Sequence, residues 1–203
     1  MTLRSEASNQ TRERLLDEAL TLFSQHGYTA TSVRDILQAA KVTQPTLYYY
    51  FADKASLFQE LIERHYGENQ QQLEAIIESQ STVAAKLLSF AVASFEYSCA
   101  DPRIPRLMFQ TYFGPTVPEI DGVLDKLTDR RFRLITRVMK EGISTGELTS
   151  SDPAFLALSF CCLVDQPINI FSRRLRPRRY LTREFANAIV TLFLKGTEIA
   201  TLS

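Results

Sequence analysis

Two short stretches with helical apolar spacing lie almost end to end near the start of this chain, and they limit what its N-terminal third can become. In the first, which opens at Ser32, the residues Val33, Ile36, Leu37 and Ala40 fall on one helical face. Asp35 stands three residues after Ser32, a variant of the capping box. In the second, Thr43 is placed to cap and Pro45 sits in the first turn, where its missing N–H costs nothing. Val42, Leu47 and Phe51 form its inner face. A longer amphipathic segment, Arg12 to Phe23, comes before both and carries Leu15, Leu16, Ala19, Leu22 and Phe23 on one stripe, with Gly27 as its stop. Asp53 can cap a fourth helix with Leu57, Phe58, Leu61 and Ile62 that runs beyond Tyr66. Two short helices joined by a tight turn and buttressed by a longer one make a helix-turn-helix.

The rest of the chain reads as helix too. Its segments are Val83 to Cys99, Pro105 to Phe113, Pro118 to Thr145, Pro153 to Ser172 and Thr182 to Leu202. Asp101-Pro102, Gly114-Pro115, Thr145-Gly146, Asp152-Pro153 and Arg176-Pro177 break them apart. The expected fold is all-α: an N-terminal three-helix helix-turn-helix domain over residues 1–54, then a larger helical ligand-binding and dimerisation domain over residues 55–203.

Composition excludes several classes. With 203 residues, 45% apolar, the chain can bury a substantial core. Its net charge is zero, and the first 54 residues balance at six basic and six acidic side chains, so any contact with nucleic acid rests on a few placed cations. Three cysteines, two of them adjacent, do not form a secreted disulfide framework. Met1 to Gln10 is polar, and the longest nearly unbroken apolar run, Ala154 to Val164, is too short to span a bilayer, so a cytoplasmic protein without a membrane partner is expected. There is no Gly-rich phosphate loop, no HExxH and no nucleophile–base pattern, which argues against an enzyme or a cofactor. His26 and His65 have no second ligand at metal spacing, so no metal is expected.

The stretch Arg12 to Leu61 resembles the DNA-binding domain of the TetR family of regulators. The resemblance is carried by Phe23, Gly27-Tyr28, Thr31-Ser32, Ile36, Thr46-Leu47-Tyr48, Phe51 and Lys54. Two positions depart from the pattern: Lys41 stands where the family usually has the glycine of the turn, and Pro45 where it often has glycine. A non-glycine residue held at positive φ is strained. The second short helix of such a motif enters the major groove by its N-terminal end. That geometry puts Thr43, Gln44, Pro45, Thr46 and Tyr49 near base edges, with Gln44 able to pair with adenine. Tyr48 and Lys54 match family positions that hold backbone phosphates. Arg34 reaches a phosphate or a guanine from the flank. Thr31 and Ser32, at the second helix's N-terminus, can offer N–H groups to a phosphate.

The resemblance also implies that the last two helices form a four-helix dimer interface, through Phe155, Leu158 and Cys162 on one and Phe185, Ile189, Leu192, Phe193 and Gly196 on the other. The partners are then a second copy of the chain, a palindromic or near-palindromic double-stranded operator, and an unknown small-molecule effector that releases it. Abundant aromatics among the central helices point to an apolar or aromatic effector near Ser94, Tyr97, Phe109, Tyr112, Phe113, Phe132, Thr136, Phe160 and Gln166. Pro167 should kink its helix and free the carbonyl of Leu163. The alternatives are a thiol-responsive regulator using Cys99, Cys161 or Cys162, and a ligand-independent one. Arg173 to Arg179 reads as a solvated loop, with a second nucleic-acid patch as the alternative.

Overall fold

The computed structural model describes residues 3–149, 151–173 and 180–197. Among the described residues every regular element is a helix: α1 (Leu3–His26), α2 (Val33–Ala40), α3 (Gln44–Tyr50), α4 (Lys54–Glu78), α5 (Val83–Ala100), α6 (Arg103–Tyr112), α7 (Pro118–Thr145), α8 (Pro153–Ser172) and α9 (Arg183–Thr197). The all-α expectation holds. α7 and α8 begin and end where the sequence placed them. α1 starts nine residues before Arg12, where the expected amphipathic segment opens, because residues 3–11 are almost wholly polar yet contain no Gly or Pro to stop a helix. α6 starts two residues before Pro105, which sits in its first turn, where a missing N–H has no partner to lose. The segment 174–179 and the end of the chain after residue 197 lie outside the described residues, and with them most of the Arg173 to Arg179 loop.

The helices form two compact units. The first comprises residues 1–66 and 103–125, so it continues past the expected boundary after Lys54 and takes in α6. Its core is built from Leu15, Ala19 and Phe23 of α1, Ile36 and Ala40 of α2, Leu47 and Phe51 around α3, and Leu57, Phe58 and Leu61 of α4, all buried. Phe23, Tyr28 and Phe58 form an aromatic triangle with centroids 5.2 to 5.6 Å apart. α6 is fastened to α1 by polar groups. Arg103 donates to Asp17 and Thr21, each at 2.8 Å. With its amide nitrogen turned toward α1, Gln110 donates to the carbonyls of Phe23 and Ser24 at 3.2 Å, and the first of these also accepts the Gly27 N–H at 2.8 Å.

The second unit comprises residues 67–102 and 126–203. In it α5 packs on α8 and α9, with Leu87, Phe90, Phe95, Phe160, Val164 and Phe193 among the buried side chains. Gly142 leaves room for neighbouring side chains where α7 meets the start of α5. A Cβ there would lie 2.8 Å from the Leu148 side chain and 3.0 Å from Val83. Glu147 accepts the Val83 N–H at 2.9 Å and Thr82 caps α5 through the Ala85 N–H, so the start of that helix is held twice. By length and composition α5 and α8 could each cross a membrane. Polar residues interrupt the apolar stretches of both, and the two helices pack against each other in one unit.

Candidate nucleic-acid interface

The first unit presents α2 and α3 through a turn that the sequence marked as strained. Lys41 adopts φ 52° and ψ 47°, the left-handed region, and its N–H closes on the carbonyls of Gln38 and Leu37. Val42 donates to Leu37 at 3.1 Å, the long bond of a Schellman-type cap. A lysine therefore stands in a conformation that glycine adopts without steric cost. Upstream, α2 is opened by a complete capping box: Asp35 N–H donates to the Ser32 hydroxyl, and the Asp35 carboxylate accepts the Ser32 N–H at 2.9 Å. The Ser32 hydroxyl, which donates to the same carboxylate at 2.6 Å, and the Ser32 N–H hold the Asp35 carboxyl below its ordinary pKa.

α3 divides cleanly. Leu47 and the C-cap Phe51 are buried, and Val42 is half-buried. Thr43, Gln44 and Pro45 are exposed, and so are Tyr48 at 47% and Tyr49 at 77%. Thr46 is half-buried and shares a 2.9 Å hydroxyl contact with Thr43. Arg34 is exposed on α2. Thus Arg34, Thr43, Gln44, Pro45, Tyr48 and Tyr49 stand on open surface of the helix-turn-helix, while the opposite side of α3 is fixed in the core. Tyr50 is turned aside. Its hydroxyl donates to the Ser8 carbonyl at 2.9 Å and meets the Ser8 hydroxyl at 2.8 Å, which ties the end of α3 to the early turns of α1.

Two expected DNA contacts are placed differently. Thr31 is 2% exposed; its N–H, expected to face a phosphate, donates to the Tyr28 carbonyl at 3.3 Å, and its hydroxyl donates to the Gly27 carbonyl at 2.8 Å. Its side chain is an internal strut of the α1–α2 loop, because only the cap Ser32 needs to face solvent. Ser32 itself is exposed, but its N–H and hydroxyl both bond to Asp35. Lys54 was expected at a phosphate. Its ammonium instead donates to the carbonyls of Tyr28 and Thr31, each at 3.0 Å, and lies 4.1 Å from the centre of the Tyr28 ring. Burial lowers its pKa, opposed by the negative charge of Glu119. Lys54 thus pins the first turn of α4 to the loop before α2.

In the second unit the outer faces of the last two helices are apolar. Phe155 is 61% exposed, Leu158 55% and Leu192 65%; Cys162, Gln166 and Gly196 are exposed on the same helices. Three residues expected at a dimer interface belong to the unit's own packing instead. Ile189 and Phe193 are buried, Phe193 sits edge-on to Phe160 at 5.2 Å, and the half-buried Phe185 lies against Phe95 and Tyr180. They form the stripe next to Leu192, turned toward α5.

The expected effector residues divide between the units. Phe109, Tyr112 and Phe113 are in the first, where Phe109 and Phe113 stack at 6.1 Å and Tyr112 and Phe113 are exposed. The second holds the rest. Phe160 is core there, 6.0 Å from Phe90. Gln166 is on the outer face of α8, and the Thr136 hydroxyl is spent on the Phe132 carbonyl at 2.8 Å. Tyr97 is half-buried, and Ser94 is buried with a hydroxyl that has no hydrogen-bond partner. The signal that singles out Ser94 is this orphaned oxygen, which no sequence pattern reveals.

Residues 15–61 match the family model described as "Bacterial regulatory proteins, tetR family". The chain is 45% identical over 58 residues to the HTH-type transcriptional regulator AcrR of Shigella flexneri, a match over 29% of this chain and 27% of that protein. It is 28% identical over 167 residues to the HTH-type transcriptional repressor ComR of Escherichia coli, covering 80% of this chain and 79% of the relative. The chain thus spans about a quarter of the first of these relatives and most of the second. Among solved structures, the transcriptional regulator FadR from Bacillus subtilis in complex with stearoyl-CoA superposes with a TM-score of 0.78 over 91% of this chain and 98% of the other, at 19% identity. At that identity the likeness is one of fold.

Proposed function

From an N-terminal domain that belongs to the TetR family of bacterial regulatory proteins, we propose that the chain acts as a homodimeric transcriptional repressor in the cytoplasm, released from its operator by a small molecule. The observation that carries this reading is the division of α3. Its inner side is locked in the core by Leu47 and Phe51, and Gln44, Pro45, Tyr48 and Tyr49 stand exposed at and beyond its N-terminal end. A helix held in this way can lie end-on in a major groove. Gln44 offers a two-point contact to adenine, Pro45 and Thr46 meet a thymine methyl, and Arg34 and Tyr48 hold phosphates. Thr43 and Tyr49 flank the base-reading residues. Lys54 supports the surface from behind.

The exposed apolar side of α8 and α9, with Phe155, Leu158, Cys162, Leu192 and Gly196, is the surface for the second copy. Two copies set α3 against successive turns of a palindromic operator, about 34–36 Å apart. The effector, an apolar or aromatic compound, acts through its different affinity for the bound and free arrangements; the stearoyl-CoA complex of the FadR neighbour is a ligand of that protein and fits this class of mechanism. A thiol signal finds no support at Cys161, whose burial pushes its pKa up to about 11, so that any such signal would fall to Cys99 or Cys162. The test is selection of bound duplexes from random DNA, followed by salt titration of the selected site. A twofold-symmetric site is expected, with Gln44→Ala relaxing preference at one base position in each half. A monomer that ignores every duplex at low salt would refute the reading.

A further inference from the structure

One ion pair in the second unit is set among apolar side chains. Arg131 on α7 donates through its two terminal nitrogens to the two oxygens of Asp165 on α8, at 2.8 and 2.7 Å. The guanidinium also lies over the ring of Phe90 on α5, 4.7 Å from its centre. Phe90 meets Phe160, and Cys161, next in α8, is buried. The Arg131 side chain is only 17% exposed, whereas that of Asp165 is 32% exposed. Four residues along α5 from Phe90, about 6 Å on the same face, Ser94 is 7% exposed and its hydroxyl has no partner.

Neither feature is explained by stability. Burying most of a guanidinium costs about what its attraction to a partly exposed carboxylate returns, and apolar side chains of equal volume would join α7 to α8 at least as well. A buried hydroxyl with no partner is a net loss. Both make sense if a third group enters. We infer that Arg131, Phe90 and Ser94 form a head-group subsite for a small anionic amphiphile with a carboxylate, and that Asp165 is the internal competitor which that carboxylate displaces. The inference rests on the reading of this unit as an effector domain.

The chemistry favours a carboxylate because the site already holds one. The planar fork of Arg131 is arranged for two parallel bonds to such a group. Two anions cannot share it without repulsion, so one must leave. Asp165 is the wetter partner and can turn to solvent, while Arg131 stays on the face of Phe90. Ser94 then donates its hydroxyl to the incoming ligand. The change reaches α8 close to Pro167, which has no N–H to give the Leu163 carbonyl, so the helix loosens where it already lacks a backbone bond. The outward side chains of Leu158 and Cys162 are one to two turns away on the same helix.

The test uses the full-length protein with octanoate, decanoate and 4-phenylbutyrate, each beside its matching alcohol, by calorimetry and thermal shift below their self-association concentrations. In the unmodified protein the carboxylates should bind at least about tenfold tighter than the alcohols, the scale of one charged hydrogen bond. Arg131→Met should remove that preference and spare alcohol binding. Asp165→Asn, which keeps the arginine, should tighten carboxylate binding several-fold. Ser94→Ala should raise the melting temperature of the free protein while weakening the carboxylates, a pairing that a merely structural serine would not give. Alcohols that bind as well as carboxylates, or an Asp165→Asn protein with unchanged carboxylate affinity, would overturn the inference and leave the effector-domain reading in place. If no compound of either kind binds, the inference falls, and the effector-domain reading, which covers other apolar and aromatic compounds, stands.

Discussion

Lys54 separates two roles that a basic residue at the edge of a DNA-binding domain can have. If it holds the loop before α2, then Lys54→Met should damage the fold first. Methionine keeps the length of the stem but removes the donor to two carbonyls at 3.0 Å and the cation 4.1 Å from the Tyr28 ring. A hydrogen bond to a charged group contributes about 1.5–3 kcal/mol and an exposed cation–π contact about 0.5–1 kcal/mol. The contributions are not additive, since they share one ammonium and water can reach the abandoned carbonyls. A net loss of about 2 kcal/mol is the reasonable figure, which for a chain of this length lowers the melting temperature by roughly 4–8 °C.

The assay pairs a calorimetric melt with operator binding by fluorescence anisotropy over a range of salt. A phosphate contact shows itself in the salt dependence, because its loss reduces the slope of log K against log salt by about one. A structural tie lowers affinity by disordering the approach of α2 and α3, and leaves the slope nearly as it was. The reasoning fails if Lys54→Met melts with the parent protein and loses a full unit of slope.

Lys41→Gly should stabilise the protein by about 0.5–1 kcal/mol in denaturant titration. It relieves a left-handed residue, about 1–2 kcal/mol, and gives back part of that in the freedom of the unfolded glycine. Leu192→Asp, on a side chain 65% exposed, should leave the melting of the monomer nearly unchanged yet shift sedimentation to the monomer and weaken operator binding; a variant that stays dimeric would show that the partner docks elsewhere. Asp35 has its pKa lowered mainly by the Ser32 hydroxyl and N–H. The cap is therefore at full strength at neutral pH and is lost as pH falls through that depressed pKa. Asp35→Ala should be less stable than the parent at pH 7 and match it once the solution is acid enough to protonate the parent's carboxyl.

What could be read from the sequence was whatever depends on spacing along the chain. α7 and α8 start at Pro118 and Pro153 and were found there, since a proline in the first turn and polar residues beyond the last mark both ends locally. The inward set of the helix-turn-helix, Ile36, Leu47 and Phe51, followed from the helical period. What could not be read depends on which neighbour arrives. Thr31 precedes a helix, where no period applies, and its inward turn is decided by the Gly27 carbonyl. The target of the Lys54 ammonium is a pair of carbonyls 23 and 26 residues away. On α9 the stripe of Phe185, Ile189 and Phe193 and the neighbouring one of Leu192 and Gly196 are both apolar or small. Only the position of α5 tells which of the two faces the unit's own core.

A chain of zero net charge is, by bulk electrostatics, an unpromising partner for DNA, and the distribution of its ion pairs answers this. In the first unit Arg12 is paired with Glu60, Arg64 with Glu13 and Arg103 with Asp17. The acids thereby neutralise cations that serve packing between α1, α4 and α6. Arg34 and Lys41 are exposed, one on α2 and one in the turn before α3, and Asp35 beside them is engaged with its own cap. The proposed surface therefore has few cations, about four in a dimer, and the predicted slope of log K against log salt is shallow for a DNA-binding protein, about −4. Affinity must then come in larger part from groups whose contribution salt does not screen, the amide of Gln44 and the hydroxyls of Tyr48 and Tyr49. A measured slope near −8 would mean that cations outside α2 and α3 also reach the phosphates, and that this sorting of charges is wrong.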